Sequence, residues 1–189
     1  GNFVWAGLMG SGTSDEGKGI TVDATGNIYT TGFFGTLVAD FDPGAGTFTM
    51  NTTGGDDIFI SKLNASGNFV WAKKMGSTGG DFGNSIAVDG VGDIYSTGQY
   101  NGSADFDPGP ASYSLTGSQD IYISKLDNSG NFLSAKKIGG SSRDEGMCIY
   151  VDASCGVYLA GRYRNNVDFD PGPGTYSLTS VGGGQDEIF

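Results

Sequence analysis

The most suggestive chemistry in this sequence sits in a phrase that occurs three times. It is Asp40-Phe41-Asp42-Pro43-Gly44, then Asp105 to Gly109, then Asp168 to Gly172. In an extended strand residues i and i+2 face the same way. Asp40 with Asp42, Asp105 with Asp107, and Asp168 with Asp170 therefore present paired carboxylates. Paired carboxylates beside turn carbonyls suit a hard cation such as Ca²⁺. Asp57, Asp120 and Glu187 lie where they could add further oxygens. The same phrase also spells an ordinary turn. Asp accepts backbone N–H bonds, Pro fixes φ and Gly allows positive φ. The turn reading comes first, and calcium is the expectation set beside it. No spacing matches an EF-hand loop or a nonapeptide calcium repeat.

Two further acidic series keep the same beat. Asp15, Asp81 and Asp144 each stand two residues before a glycine, and Asp23, Asp89 and Asp152 close a short apolar run. A catalytic group is usually unique, whereas a turn-stabilising Asp is needed in every repeat, so both series read as scaffold. Two carboxylates about 5 to 10 Å apart can hydrolyse a glycosidic bond. That chemistry needs one acid set apart from the rest, and no Asp or Glu here is.

Other side chains narrow the field. The chain has no His, so a His-based triad or His-ligated zinc is excluded. Cys148 and Cys155 occur only in the third copy and are too few for a disulfide framework. A bridge between them looks strained, and drift to small hydrophobes is the plain reading. Trp5, Trp71, Tyr29, Tyr95 and Tyr158 recur at regular positions, which favours packing between repeats. Phe33, Phe34, Tyr100 and Tyr163 read as non-repeated loop aromatics and are the candidates for ligand contact. Lys73-Lys74 and Lys136-Lys137 fall on an outer strand, where lysine blunts edge pairing. The net charge is −11. Such a surface repels nucleic acid and anionic membranes. No apolar run reaches the ~18 residues of a membrane span.

These residues are positioned by an internal repeat. Gly1-Asn2-Phe3-Val4-Trp5-Ala6 returns at Gly67 and, as Gly130-Asn131-Phe132-Leu133-Ser134-Ala135, at Gly130, spacings of 66 and 63. Ile20-Thr21-Val22-Asp23 and Ile58-Phe59-Ile60-Ser61-Lys62-Leu63 recur on the same beat. Each unit reads as short strands between turn signals, with no helical period. Glycine, 35 of 189 residues, disfavours helix interiors as well. In the second unit the strands fall at Ser85 to Asp89, Asp93 to Tyr100, Asp120 to Leu126 and Asn131 to Ile138. A polar excursion between the second and third carries its own hairpin, Ala104-Asp105-Phe106 against Ser112 to Leu115. Four antiparallel strands repeated in tandem predict an all-β propeller. Its three four-stranded blades cover 10–76, 77–140 and 141–189, and 1–9 is the outer strand of another blade. The third blade lacks its last strand. Closed propellers have about four to eight blades. The three blades are thus expected to belong to a longer chain of six or seven, the alternative being two copies paired into a six-bladed ring.

Gly83-Asn84-Ser85-Ile86-Ala87-Val88-Asp89 followed by Gly92-Asp93-Ile94-Tyr95-Ser96-Thr97-Gly98 resembles the bacterial SBBP-type β-propeller repeat family. The Asp-Phe-Asp-Pro-Gly and Ile-Ser-Lys-Leu phrases share in that resemblance, and the first two strands are more loosely similar to NHL-type blades. It implies a propeller in large secreted or cell-surface bacterial proteins, with no fixed catalytic residues. The expected function is a non-catalytic structural or adhesive binding module, stabilised by calcium if the Asp phrase holds it. Protein or surface glycan is the expected partner. A propeller-type carbohydrate-active hydrolase is the alternative.

Overall fold

The computed structural model describes residues 1–35, 38–181 and 184–189. Every regular element among them is a β-strand, and all pairings between strands are antiparallel. In chain order the first unit carries β1 (Glu16–Val22), β2 (Ile28–Phe34), the short pair β3 (Ala39–Asp40) and β4 (Thr49–Met50), β5 (Asp57–Leu63) and β6 (Phe69–Met75). The second carries β7 (Phe82–Val88), β8 (Ile94–Asp105), β9 (Ser114–Leu126) and β10 (Phe132–Gly140). The third carries β11 (Glu145–Val151), β12 (Val157–Tyr163), β13 (Asn166–Asp168), β14 (Ser177–Thr179) and β15 (Glu187–Ile188).

The first sheet is four strands in the order β1-β2-β5-β6. The second repeats that order as β7-β8-β9-β10 and then continues through β13 to β14, making six. The third has three strands, β11-β12-β15. Strand counts thus depart from a uniform four. The second sheet reaches six because the third unit's excursion, an arm of β13 and β14, adds to it, whereas β3 and β4, the arm of the first unit, form a two-stranded sheet of their own. In the second unit the arm's expected hairpin exists but is continuous with the blade strands, pairing Ala104 with Leu115 and Asp105 with Ser114.

Each arm reaches backwards. Gly10 bridges to Asp40, Gly76 to Asp105, and Gly139 to Asp168. The arm of one unit is therefore clasped to the end of the outer strand before it. Glycine is required at this crossing. Gly10 and Gly76 have φ of +134° and +157°. A Cβ on Gly76 would stand 2.4 Å from Asp57 Oδ1, and one on Gly139 2.4 Å from the Asp120 carboxyl carbon.

The sheets stack face to face. Ile86 of β7 is buried with Tyr29, Ile58 and Ile60 of the first sheet. Ile149 and Val151 of β11 are buried with Tyr95 of the second. Each innermost strand breaks register at the same place, between Gly17 and Gly19, Gly83 and Ser85, and Gly146 and Cys148. Segment 1–9, expected as an outer strand, has no strand structure, and Phe3, Val4 and Leu8 are exposed.

Candidate functional site

The Asp-Phe-Asp-Pro-Gly phrase forms the same turn three times. Asp40 Oδ1 accepts the N–H of Asp42 at 3.0 Å and of Phe48 at 2.9 Å. Asp105 does so for Asp107 and Tyr113, and Asp168 for Asp170 and Tyr176. Asp42, Asp107 and Asp170 each accept the N–H of the glycine two residues on. The N–H bonds from Asp42 and Phe48 hold the Asp40 carboxyl below the usual carboxylate range. The two carboxylates of each pair thus serve successive parts of one hairpin. Among the described residues no group of three or more His, Cys, Asp or Glu side chains is arranged to hold a metal.

The second acidic series braces the clasp. Asp81 Oδ2 accepts the N–H of Ser77, just past the outer strand of the first unit, and Oδ1 accepts that of Asn101 in β8. Asp144 does the same with Gly140 and Arg164, and Asp15 with Ser11 and Gly35. Asp57, Asp81, Asp120 and Asp144 are fully buried. Burial raises the proton affinity of all four. For Asp144 it outweighs the N–H bonds from Arg164 and Gly140 and moves the pKa to about 6.

The third series holds the turn after the first strand of each unit. Asp23 accepts from Thr25 and Asn27, Asp89 from Val91 and Asp93, Asp152 from Ser154 and Gly156. A tyrosine hydroxyl, from Tyr29, Tyr95 or Tyr158, donates to the other oxygen. Burial opposes ionisation of Asp23, yet hydrogen bonds from Asn27 and Thr25 hold its pKa well below the ordinary value.

Phe33, Phe34, Tyr100 and Tyr163 do not lie on loops. Phe33 and Phe34 end β2, Tyr163 ends β12 and Tyr100 lies within β8, and all four are buried. Phe34 packs edge-on against Phe41, Tyr100 against Phe106, and Tyr163 against Phe169, so three of them anchor the Phe of each Asp-Phe-Asp turn. Counted from the repeat, these three positions are equivalent. Their expected placement as non-repeated loop residues is corrected by these strands and by that equivalence.

A repeated set of exposed aromatics, Phe48, Tyr113 and Tyr176, stands eight residues after the first Asp of each phrase. Phe48 stacks at 4.8 Å on Phe69, and Tyr113 at 4.9 Å on Phe132. Both line the outer rim. An open groove of about 750 Å³ runs there between Phe48, Lys73, Asp107 and Pro108. Its equivalent, of about 410 Å³, lies between Tyr113, Lys136, Asp170 and Pro171. The equal spacing was the signal in the sequence, hidden because Phe48 stands where the other two units have Tyr113 and Tyr176. Cys148 and Cys155 are free thiols, both exposed.

Tandem antiparallel sheets stacked face to face, with turns that repeat residue for residue, are consistent with the β-propeller repeat architecture. The SBBP beta-propeller repeat family matches this chain over residues 5–32 and 70–107. Those two stretches carry that repeat, as the resemblance implied. A curated relative, the "Uncharacterized WD repeat-containing protein L264" of Acanthamoeba polyphaga mimivirus, is 33% identical over 115 residues. The alignment covers 54% of this chain and 8% of that relative's length.

Proposed function

We propose that this chain is a non-catalytic propeller-repeat module, a secreted or cell-surface scaffold that binds protein or surface glycan. One observation supports the reading above the others. The three repeated Asp series accept backbone N–H bonds of the scaffold and Asp120 pairs with Lys137, while two equivalent open grooves stand beside the exposed Phe48 and Tyr113. A hydrolase needs an acid of raised pKa in a pocket. Asp144 has the raised pKa, but it is fully buried with both oxygens on backbone N–H groups.

Two assays test this. Incubation with a panel of plant and bacterial polysaccharides should release no reducing ends above blank. Turnover that Asp144→Asn abolishes would instead establish the hydrolase. On a glycan array and in surface cross-linking, any bound partner should be lost by the double variant Phe48→Ala with Tyr113→Ala, at unchanged Tm. Binding that survives that variant places the interaction off the rim.

A further inference from the structure

Two lysines of the outer strands reach into the buried clasp. Lys74 Nζ lies 3.5 Å from Asp57 Oδ2, and Lys137 Nζ lies 3.1 Å from Asp120 Oδ2. The arrangement is the same in both units. Phe59 pairs with Lys74 across β5 and β6, and Tyr122 with Lys137 across β9 and β10. Each Asp stands two residues before that aromatic, on the same face of its strand. Each lysine is therefore diagonal to its Asp, within reach of a long side chain. A second acceptor aims each ammonium, Thr53 Oγ1 for Lys74 and the Thr116 carbonyl for Lys137.

The carboxyl ends set these pairs apart from ordinary surface ion pairs. Asp57 and Asp120 are fully buried. Asp57 Oδ1 and both oxygens of Asp120 lack a hydrogen bond of ordinary geometry. Burial favours the neutral form of both carboxyls. A second acid stands beside each. A Cβ on Gly76 would meet Asp57 Oδ1 at 2.4 Å and Asp81 Oδ2 at 3.1 Å, so both carboxyls face one Cα. Asp144 is the equivalent neighbour of Asp120. Burial first, and then the charge of Asp57 or Asp120, raises the pKa of Asp81 and Asp144.

We propose that each pair is a covalent modification site, at which Lys74 with Asp57, and Lys137 with Asp120, condense to an intramolecular amide. A proton passes from the ammonium to the buried carboxylate and leaves a neutral amine. The amine lone pair attacks Cγ and forms the C–N bond. The C–OH bond then breaks, and the hydroxyl leaves with an amine proton as water. No oxidant or other reactant enters. Asp81 or Asp144 takes the amine proton and hands it to the leaving hydroxyl. Well-placed groups react at effective molarities of about 10⁵–10⁸ M, which is what a condensation in water requires. The product ties β5 to β6 and β9 to β10 beside the clasp. The inference goes beyond the binding role and does not depend on it.

The test is the intact mass of the purified chain, read when fresh and after long incubation at neutral pH. The 19.5 kDa chain should be lighter than its sequence by two molecules of water. Trypsin should not cut after Lys74 or Lys137, and branched peptides should join Lys74 to Asp57 and Lys137 to Asp120. The double variant Lys74→Arg with Lys137→Arg keeps both charge pairs without a nucleophile and should have its full mass. Asp144→Asn should slow the Lys137 bond about 10²-fold, the lower end for a positioned proton donor. The Lys74 bond in that variant should form as before, which shows that the chain has folded. Full sequence mass in the unaltered chain overturns the proposal and leaves two ion pairs. A loss of water that persists in the double variant overturns it too, since it would mark an aspartyl imide elsewhere. An unslowed Lys137 bond in Asp144→Asn would refute the role of the second acid.

Discussion

The joint between the first and second sheets and the joint between the second and third use equivalent positions for opposite chemistry. In the first, Phe33 meets Phe82 edge-on at 4.9 Å and the Lys18 ammonium lies over both rings. In the second, the same three positions are Gln99, Glu145 and Asn84. There Glu145 accepts hydrogen bonds from Asn84, Arg143 and Arg162. Burial opposes its ionisation, but the Arg162 pair and the other donors keep its pKa low. Arg162 also pairs with Asp186, just before β15. The backbone frame is common to both joints, namely the clasp, the broken register and the braced Asp. Side chains between two sheets can therefore change from aromatic to ionic while the stacking persists. The frame carries the geometry, and the filling sets how each joint responds to salt and pH.

The sharpest way to break this comparison is to remove one filling at a time. Phe33→Ala empties a buried ring site and should cost about 3 kcal/mol, the lower end for Phe truncation. Denaturant unfolding should give the same loss at 0.05 and 1 M salt. Glu145→Ala strands Asn84 and two arginines and should cost about 2 kcal/mol, in the range for hydrogen bonds to charged groups. That loss should shrink in 1 M NaCl, because the arginines are partly exposed and screened. If both variants show the same salt dependence, the two joints do not differ as described.

The braced acids respond to pH in both joints. Asp57, Asp81, Asp120 and Asp144 have raised folded pKa values. A raised value means that the folded state binds the proton more tightly, so their contribution is full below the unfolded pKa and is lost as pH rises through the folded one. For Asp144 that window runs from 3.8 to about 6. Glu145, Asp23 and Asp40 have lowered values and lose their contribution as pH falls below the ordinary carboxylate range. Tm should therefore rise from pH 7.5 towards pH 5 and fall below about pH 4, where the carboxylates that fold the turns are protonated. A Tm that falls steadily from pH 7.5 would contradict the buried acids. The smallest effect expected is that of calcium. Melting curves in Ca²⁺ and in EDTA should coincide if the Asp-Phe-Asp-Pro-Gly pairs are turn residues. A rise with Ca²⁺ concentration would restore the metal reading by mass action.

Much of this frame was legible in the sequence. The repeat, the antiparallel strands and the turn role of Asp23, Asp89 and Asp152 follow from spacing and turn chemistry. Trp71 also behaves as its position suggests, its indole N–H donating to the Asn128 carbonyl of the next unit. The clasp was not legible. Gly76 meets a hairpin in the following unit, and a glycine with positive φ leaves no periodic trace of its partner. Phe33 and Tyr100 looked free because their strands run further than alternation alone would end them. The contrast between the joints was hidden as well. Phe33 aligns with Gln99 and Phe82 with Glu145, and nothing along one chain shows that two such positions touch.

The clasp also orders events in time. The outer strand of one unit is held at its end only when Asp40, Asp105 or Asp168 reaches Gly10, Gly76 or Gly139. On a ribosome adding roughly 5–20 residues per second, each strand end waits seconds for an arm made about thirty residues later. These units are thus fastened in chain order, and the outer strands of the first and second are each secured by the unit that follows.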